Sequence, residues 1–398
     1  MATPAAAELP VGWGSPALRR ATLALAATQL VSWGVLFYGF AVVAPEVTAD
    51  TGWSETVVAG AFSVGLLVAG IAAPAVARHL ANRDPRVVLT AGSLLGITGI
   101  AGFAAAQHLA VLYVAWVVIG LAMAATLYEP AMAVLVAIDP SRRHRTLAVV
   151  TVAGGLASTL FAPLGGALVD RLGWRSALLV LAVAGGVFTT VLHAVVLPSA
   201  RSVAVPPEPA PPGLVRSRPV RHLQVALLFE QAAIIATTVH FIGLLVGRGT
   251  TLALAGGVLA AMGLGKVAGR LLLLGPVVRA LPLATLAAGC NVVQLAGLAV
   301  PLATTGHAAL FVSGIVVGAA SGATTVLRPL LVVELVGPGP YAAVSAHLQR
   351  ATTLARAGAP FAIGLGATTI GWSTTWILAL SAFGIAALQY ERLRFVPT

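Results

Sequence analysis

Runs of about twenty apolar residues, long enough to cross a bilayer as a helix, recur along this chain between short polar stretches. They fall at 21–44, 54–77, 87–106, 110–137, 146–169 and 175–197, and again at 223–246, 251–273, 281–303, 307–335, 342–369 and 373–391. Between the two sets, residues 198–222 hold Pro206, Pro207, Pro209, Pro211 and Pro212. No helix tolerates that spacing, so the gap reads as an extended linker. The pattern predicts an all-α membrane protein: twelve transmembrane helices in two pseudo-symmetric six-helix bundles, 21–197 and 223–391, with short tails at 1–20 and 392–398.

The two halves repeat each other. Arg20 to Phe40 aligns without a gap on Arg221 to Phe241, setting Gln29 opposite Glu230 and Gly39 opposite His240. Pro163 followed by Gly173 and Trp174 is echoed by Pro360 followed by Gly371 and Trp372. Val118 to Pro140 matches Val316 to Pro338 in its glycine, its central proline and its closing proline. The residue before the central proline is Glu129 in the first copy and Arg328 in the second. Six helices in parallel repeat, with opposite charges at equivalent positions, point to a two-bundle transporter with a charged site near its pseudo-twofold axis.

Composition narrows the class. With 59% hydrophobic and 9% charged residues and a mean hydropathy of +0.97, the chain lies outside the soluble range. Its net charge of +11 comes from arginines clustered between apolar runs, as topology signals are, and leaves no nucleic-acid face. Cys290 is the one cysteine, which excludes an internal disulfide and any paired-cysteine metal site. No phosphate-binding loop or nucleophile elbow is present, so neither an enzyme nor a cofactor is expected. The first run is longer than a signal-peptide core and lacks a cleavage site, so it is expected to stay in place. Duplication argues against a channel or a receptor.

A charge at a helix centre is disfavoured by about 2.5–3.5 kcal/mol on insertion scales and needs a partner or a watery cavity. Glu129, Glu230, Lys266, Arg328, Arg350 and Arg356 are in that position. Glu129 and Arg328 lie roughly 15 Å from their inner helix ends at the rise of an α-helix. They are expected to face each other across a central cavity in at least one state. Two roles stay open for the pair: a structural salt bridge between the halves, or direct handling of substrate or proton. Glu230, Arg350 and Arg270 are candidates for gating or proton coupling with Glu129. Arg270 and Glu334 are close enough to the inner face for snorkelling or a helix-end contact to suit them.

The stretch Pro163 to Arg175, PLGGALVDRLGWR, resembles the junction between helices five and six of the major facilitator superfamily, and the resemblance covers nearly the whole chain. Arg78 to Arg86, RHLANRDPR, is similar to the superfamily's basic signature after helix two in a degraded form. Trp33 to Phe40, WGVLFYGF, and Asp50 to Ser54, DTGWS, resemble the oxalate/formate antiporter and monocarboxylate transporter branch. Gly265 to Arg270, GKVAGR, resembles that branch's helix-eight element, with Lys266 where the branch has an acid. The resemblance implies an anion site on helices eight and eleven, at Lys266 and Arg356, with Arg328. It also implies a cavity lined by helices one, four and seven, which carry Gln29, Trp33, Tyr38, Tyr128 and His240. The expected function is secondary transport of a small organic anion, a carboxylate, by alternating access. The alternative is proton-coupled efflux of a drug-like or hydrophobic compound. Expected partners are an anionic small molecule, a coupling proton or counter-substrate, and the bilayer; the protein is expected to work as a monomer without metal.

Orientation follows from the arginines. With the N-terminus inside, inner segments hold Arg19, Arg20, Arg78, Arg83, Arg86, Arg142, Arg143, Arg145, Arg201, Arg216, Arg218, Arg221, Arg279, Arg392 and Arg394, and outer loops only Arg171, Arg175 and Arg248. Both termini are therefore expected on the cytoplasmic side of the inner membrane. Trp53, Trp174 and Trp372 then fall at outer helix ends, where interfacial tryptophans belong. A cysteine placed at Ser202 should react with an impermeant thiol reagent only from the cytoplasmic side, and one at Thr250 only from outside. Reaction in the opposite sense would overturn the orientation.

Overall fold

The computed structural model describes residues 15–138, 143–197, 211, 213–273, 281–337 and 340–394. Most of the expected Pro-rich linker and the outermost tails lie outside them.

Among the described residues, twelve helices form. The first, α1, runs from Pro16 to Thr51 and includes a π-helical stretch Gly34–Tyr38. Next come α2 (Glu55–Asn82), α3 (Pro85–Ala104) and α4, which is broken into Leu109–Thr126 and Tyr128–Ile138. A near-continuous helical stretch follows as α5 (143–172) and α6 (174–196), separated by Gly173 at φ 75° and ψ 159°, a conformation that only glycine adopts cheaply. The second half has α7 (Arg218–Gly247), α8 (Leu252–Leu272), α9 (Leu283–Ala303), α10 (His307–Val336), α11 (Tyr341–Thr369) and α12 (Trp372–Leu393). Among the described residues, 10 stretches are long and apolar enough to span a membrane. The division of Val149–Val196 at Gly173, and the more polar α11, complete the twelve.

Packing repeats the sequence symmetry. In the first bundle α4 packs on α2 and α3, α6 on α3 and α1, and α5 on α1. In the second, α10 packs on α8 and α9, α12 on α9 and α7, and α11 on α7. The bundles meet along α2 with α11 and α5 with α8, and the outer part of α1 packs on α7. Exposed apolar residues on α3, α6, α9 and α12, such as Leu94, Val183, Val292 and Leu378, are the lipid-facing surface.

Both bundles use close helix approach, as at Gly120 against the Gly65 carbonyl in the first, and they differ in aromatic content. Stacked and edge-on aromatic pairs among Phe40, Phe62, Phe103 and Trp116 fill the first core, with ring centroids 4.5–5.6 Å apart. The second relies on close backbone approach between α8 and α10. A side chain at Gly269, Gly318 or Gly322 would collide with the carbonyl oxygen of Ala319, Met262 or Lys266 respectively.

Trp174 departs from the interfacial role expected of it. It is 5% exposed, and its indole N–H donates to Asp50 at 3.1 Å, because Asp50 at the end of α1 also accepts from Arg175 and draws the junction inward. Cys290 is half-buried beside the core of the second bundle.

Because the α8–α10 obstacle is backbone, no side-chain rotation relieves it. Gly318→Val should destabilise the fold by about 1–3 kcal/mol or more, read as a lowered thermal midpoint. Gly289→Ala, where an added methyl meets nothing within 4 Å, should be neutral or stabilising by up to about 1 kcal/mol. Equal midpoints for the two variants would contradict the close-approach account.

Candidate functional site

Pro130 has no N–H, so the carbonyl of Thr126 one turn earlier loses its helical donor, and α4 breaks at Leu127, whose ψ is −160°. In a bilayer that carbonyl must find another donor. Gln29 of α1, fully buried, supplies it: its Nε2 donates to Thr126 at 2.6 Å. The inner piece of α4 then starts afresh at Tyr128 and packs chiefly on α1, α2 and α5 of its own bundle. The break leaves Glu129 solvent-exposed in its first turn.

On α1 the π-helical turn Gly34–Tyr38 lies against α5, where the Phe161 ring occupies the space a side chain on Gly34 would need. Tyr38 at its end meets the second bundle. Lys266 Nζ of α8 donates to the Tyr38 hydroxyl at 3.0 Å and sits 5.4 Å from the ring centroid, within cation–π range. Lys266 is itself held from behind, since its carbonyl lies against Gly322 of α10. From Tyr38 an aromatic wall runs through Phe37 (5.2 Å between centroids) and Trp33 (5.3 Å) to Tyr128 (5.0 Å).

Arg356 lies near the middle of α11, half-buried, one turn before Pro360. Among the described residues its guanidinium has no hydrogen bond or ion pair, and its Nε is buried without a partner. The charges that act on it are those of Glu129, from the first bundle, and of Arg328 in its own bundle. Glu129 also has no hydrogen bond or ion pair within the described residues.

Glu129 and Arg328, expected to face each other, form no ion pair in this conformation. Arg328 instead donates to Gln349 of α11 at 2.8 Å and acts on Glu230 within its own bundle. Glu230 is 2% exposed and accepts from the Tyr390 hydroxyl of α12, with Thr324 as another polar neighbour. That carboxylate is packed away from the central gap. Arg270 does not snorkel: it is 8% exposed, donating to the Thr151 carbonyl of α5 and, at 3.2 Å, to Thr325 of α10. Gly155 leaves room for its guanidinium and Gly154 for the Tyr128 hydroxyl, which donates to the same carbonyl at 3.3 Å. His240 is buried; its Nε2 donates to the Pro360 carbonyl at 2.9 Å and its ring packs on Trp372. The side chain of Arg350 lies outside the described ones.

The structure thus joins Lys266 to Tyr38 across the bundles and Tyr38 through Phe37 and Trp33 to Tyr128, next to Glu129. It assigns Gln29, Glu230 and His240 to packing inside or between helices. Sequence reading missed the cap on Thr126, although a proline inside a helix marks the carbonyl one turn before it as needing a donor. It also missed the buried pair of Ser93 and His193 Nδ1, 2.9 Å apart in the first bundle, for which spacing carries no signal.

The outer ends are shut by α1 on α7 and by α2 on α11, where Thr56 and Thr368 meet at 3.3 Å.

A protein-family model described as Major Facilitator Superfamily matches residues 24–290. The fold is similar to the crystal structure of the nucleoside transporter NupG, at a TM-score of 0.75 and 13% identity, over 94% of this chain and 99% of that one. It is also similar to a bacterial homolog of the human lysosomal transporter Spinster, inward-facing and unoccupied, at 0.74 and 13%, over 95% and 97%. No curated protein sequence matches.

If Gln29 exists to cap the freed carbonyl, Gln29→Leu should lower stability by about 1–3 kcal/mol. In a Pro130→Ala background, where the N–H returns, the same change should cost clearly less. A thermal double-mutant cycle with no coupling would remove Gln29 from this role.

Proposed function

The chain belongs to the major facilitator superfamily, and on that premise we propose that it carries a small organic anion, a carboxylate, across the cytoplasmic membrane by alternating access. The observation that carries this reading is the state of Lys266 and Arg356. Neither has an ion pair among the described residues; Lys266 donates only to Tyr38, and the Nε of Arg356 is buried without a partner, whereas Arg328 donates to Gln349 of its own bundle. Cations left this way in a membrane call for an anion from solution.

A carboxylate entering between the bundles accepts from the planar fork of Arg356 and from the ammonium of Lys266. Lys266 has three donors, so it keeps Tyr38 while it binds. Trp33 and Tyr128 provide the apolar wall on the first bundle. A ligand touching both bundles favours the arrangement that encloses it, and the gap then closes inside as the outer contacts of α1 with α7 and α2 with α11 separate. Arg270, fixed to the backbone of α5 along the α8 seam, acts in this reading as an inner strap on that motion.

The competing reading, proton-driven efflux of a drug-like or hydrophobic compound, sets two mid-membrane cations against an uncharged ligand. That costs about 2.5–3.5 kcal/mol for each on insertion scales. Binding of simple carboxylates to purified protein, followed by thermal shift, tests the choice. Arg356→Gln and Lys266→Gln should each weaken binding by about 2–5 kcal/mol, which abolishes it in practice, while the unliganded protein stays folded. Wild-type affinity in both variants would contradict the site.

A further inference from the structure

We infer that a small cavity inside the first bundle binds one ordered water, which joins α1, α3, α4 and α6 beside the break in α4. Each of the four helices brings a hydroxyl residue to the cavity wall: Ser32 from α1, Ser93 from α3, Thr126 from α4 and Thr189 from α6. All four are buried. The rest of the wall is apolar or glycine, as at Val35 and Gly185, and among the described residues no charged side chain lines it. A metal cation there would find no opposite charge to offset the loss of its hydration.

Size and chemistry both select water. The centre of a water molecule has about 20 Å³ open to it in the cavity, and one water needs roughly 10–15 Å³ of such space. Cavities that stay dry are lined by apolar groups, whereas a polar one holds a water that two to four partners can reach. Thr126 donates to the Ala122 carbonyl at 2.7 Å and Thr189 to the Gly186 carbonyl at 3.1 Å. Each has thus given its one proton to its own helix and keeps only acceptor capacity. Ser93 is paired with His193 Nδ1 at 2.9 Å, and the Ser32 hydroxyl has no hydrogen bond among the described residues. A water gives its two protons to the threonines and accepts from Ser32.

The backbone departs from regular helix around the same point. Val35 belongs to the π-helical stretch Gly34–Tyr38, Thr126 is the last residue before α4 breaks, and Thr189 precedes a second π-helical stretch, Leu192–Val196, which carries His193. Such departures shift helix faces apart, and within a membrane ordered water is one of the partners that satisfies polar groups beside them. One water shared by four helices pins the first bundle where its helices are least regular.

A cryo-electron microscopy map of the wild-type protein in nanodiscs, at a resolution that shows ordered waters elsewhere in the chain, tests the inference. It should show one peak in this cavity, within about 2.5–3.2 Å of the hydroxyl oxygens of at least two of the four residues. A thermal double-mutant cycle of Ser32→Ala with Thr189→Val gives a second readout. Side chains that share one water should together lower the melting midpoint by clearly less than the sum of their separate shifts. A cavity without density in such a map, or additive shifts, would overturn the inference. If either variant does not fold, the wild-type map decides alone.

Discussion

Water is absent from the middle of a bilayer, so every polar group there must be answered by another part of the protein or by a cavity. The break in α4 shows the rule at work. Pro130 frees the Thr126 carbonyl, Gln29 answers it from α1, and the chain restarts with Tyr128 and Glu129 at the gap between bundles. The same demand sets the buried Glu230 against Tyr390 and binds Arg270 to the Thr151 carbonyl. Among the charged groups, Arg356 and Glu129 have no hydrogen bond or ion pair within the described residues, and Lys266 holds the Tyr38 hydroxyl.

Each bundle is built to move as a body. Interleaved aromatic rings make the first hard to deform, and backbone-to-backbone contact at Gly269, Gly318 and Gly322 does so for the second. The surfaces between bundles combine close packing, such as Gly263 of α8 against Thr159 of α5, with single polar contacts: Thr56 on Thr368, the Ser63 hydroxyl accepting from the Phe361 N–H, and Lys266 on Tyr38.

The fold was largely legible in the sequence because its causes are one-dimensional. Apolar length gives twelve helices, and paired prolines give two repeats. The site was legible in part. Position along a helix gives depth, so Glu129, Lys266, Arg328 and Arg356 were recognisable as membrane-embedded charges. Which way each points is set by helix rotation and local irregularity. The π-helical turn before Tyr38 and the kink at Leu127 shift those faces by amounts that a regular periodicity does not carry. Arg328 turned into its own bundle toward Gln349. The repeat equates Glu129 with Arg328 by position, yet α10 is continuous where α4 breaks, so equivalent positions face different surroundings.

The central claim is that Lys266 and Arg356 together hold the carboxylate of the transported molecule. A cryo-electron microscopy structure of the protein with a saturating carboxylate ligand tests it most directly. The account predicts ligand density between α8 and α11, with carboxylate oxygens within hydrogen-bond distance of Lys266 Nζ and the Arg356 guanidinium. Density elsewhere, with Lys266 bonded only to Tyr38 and Arg356 facing only Glu129, would contradict it.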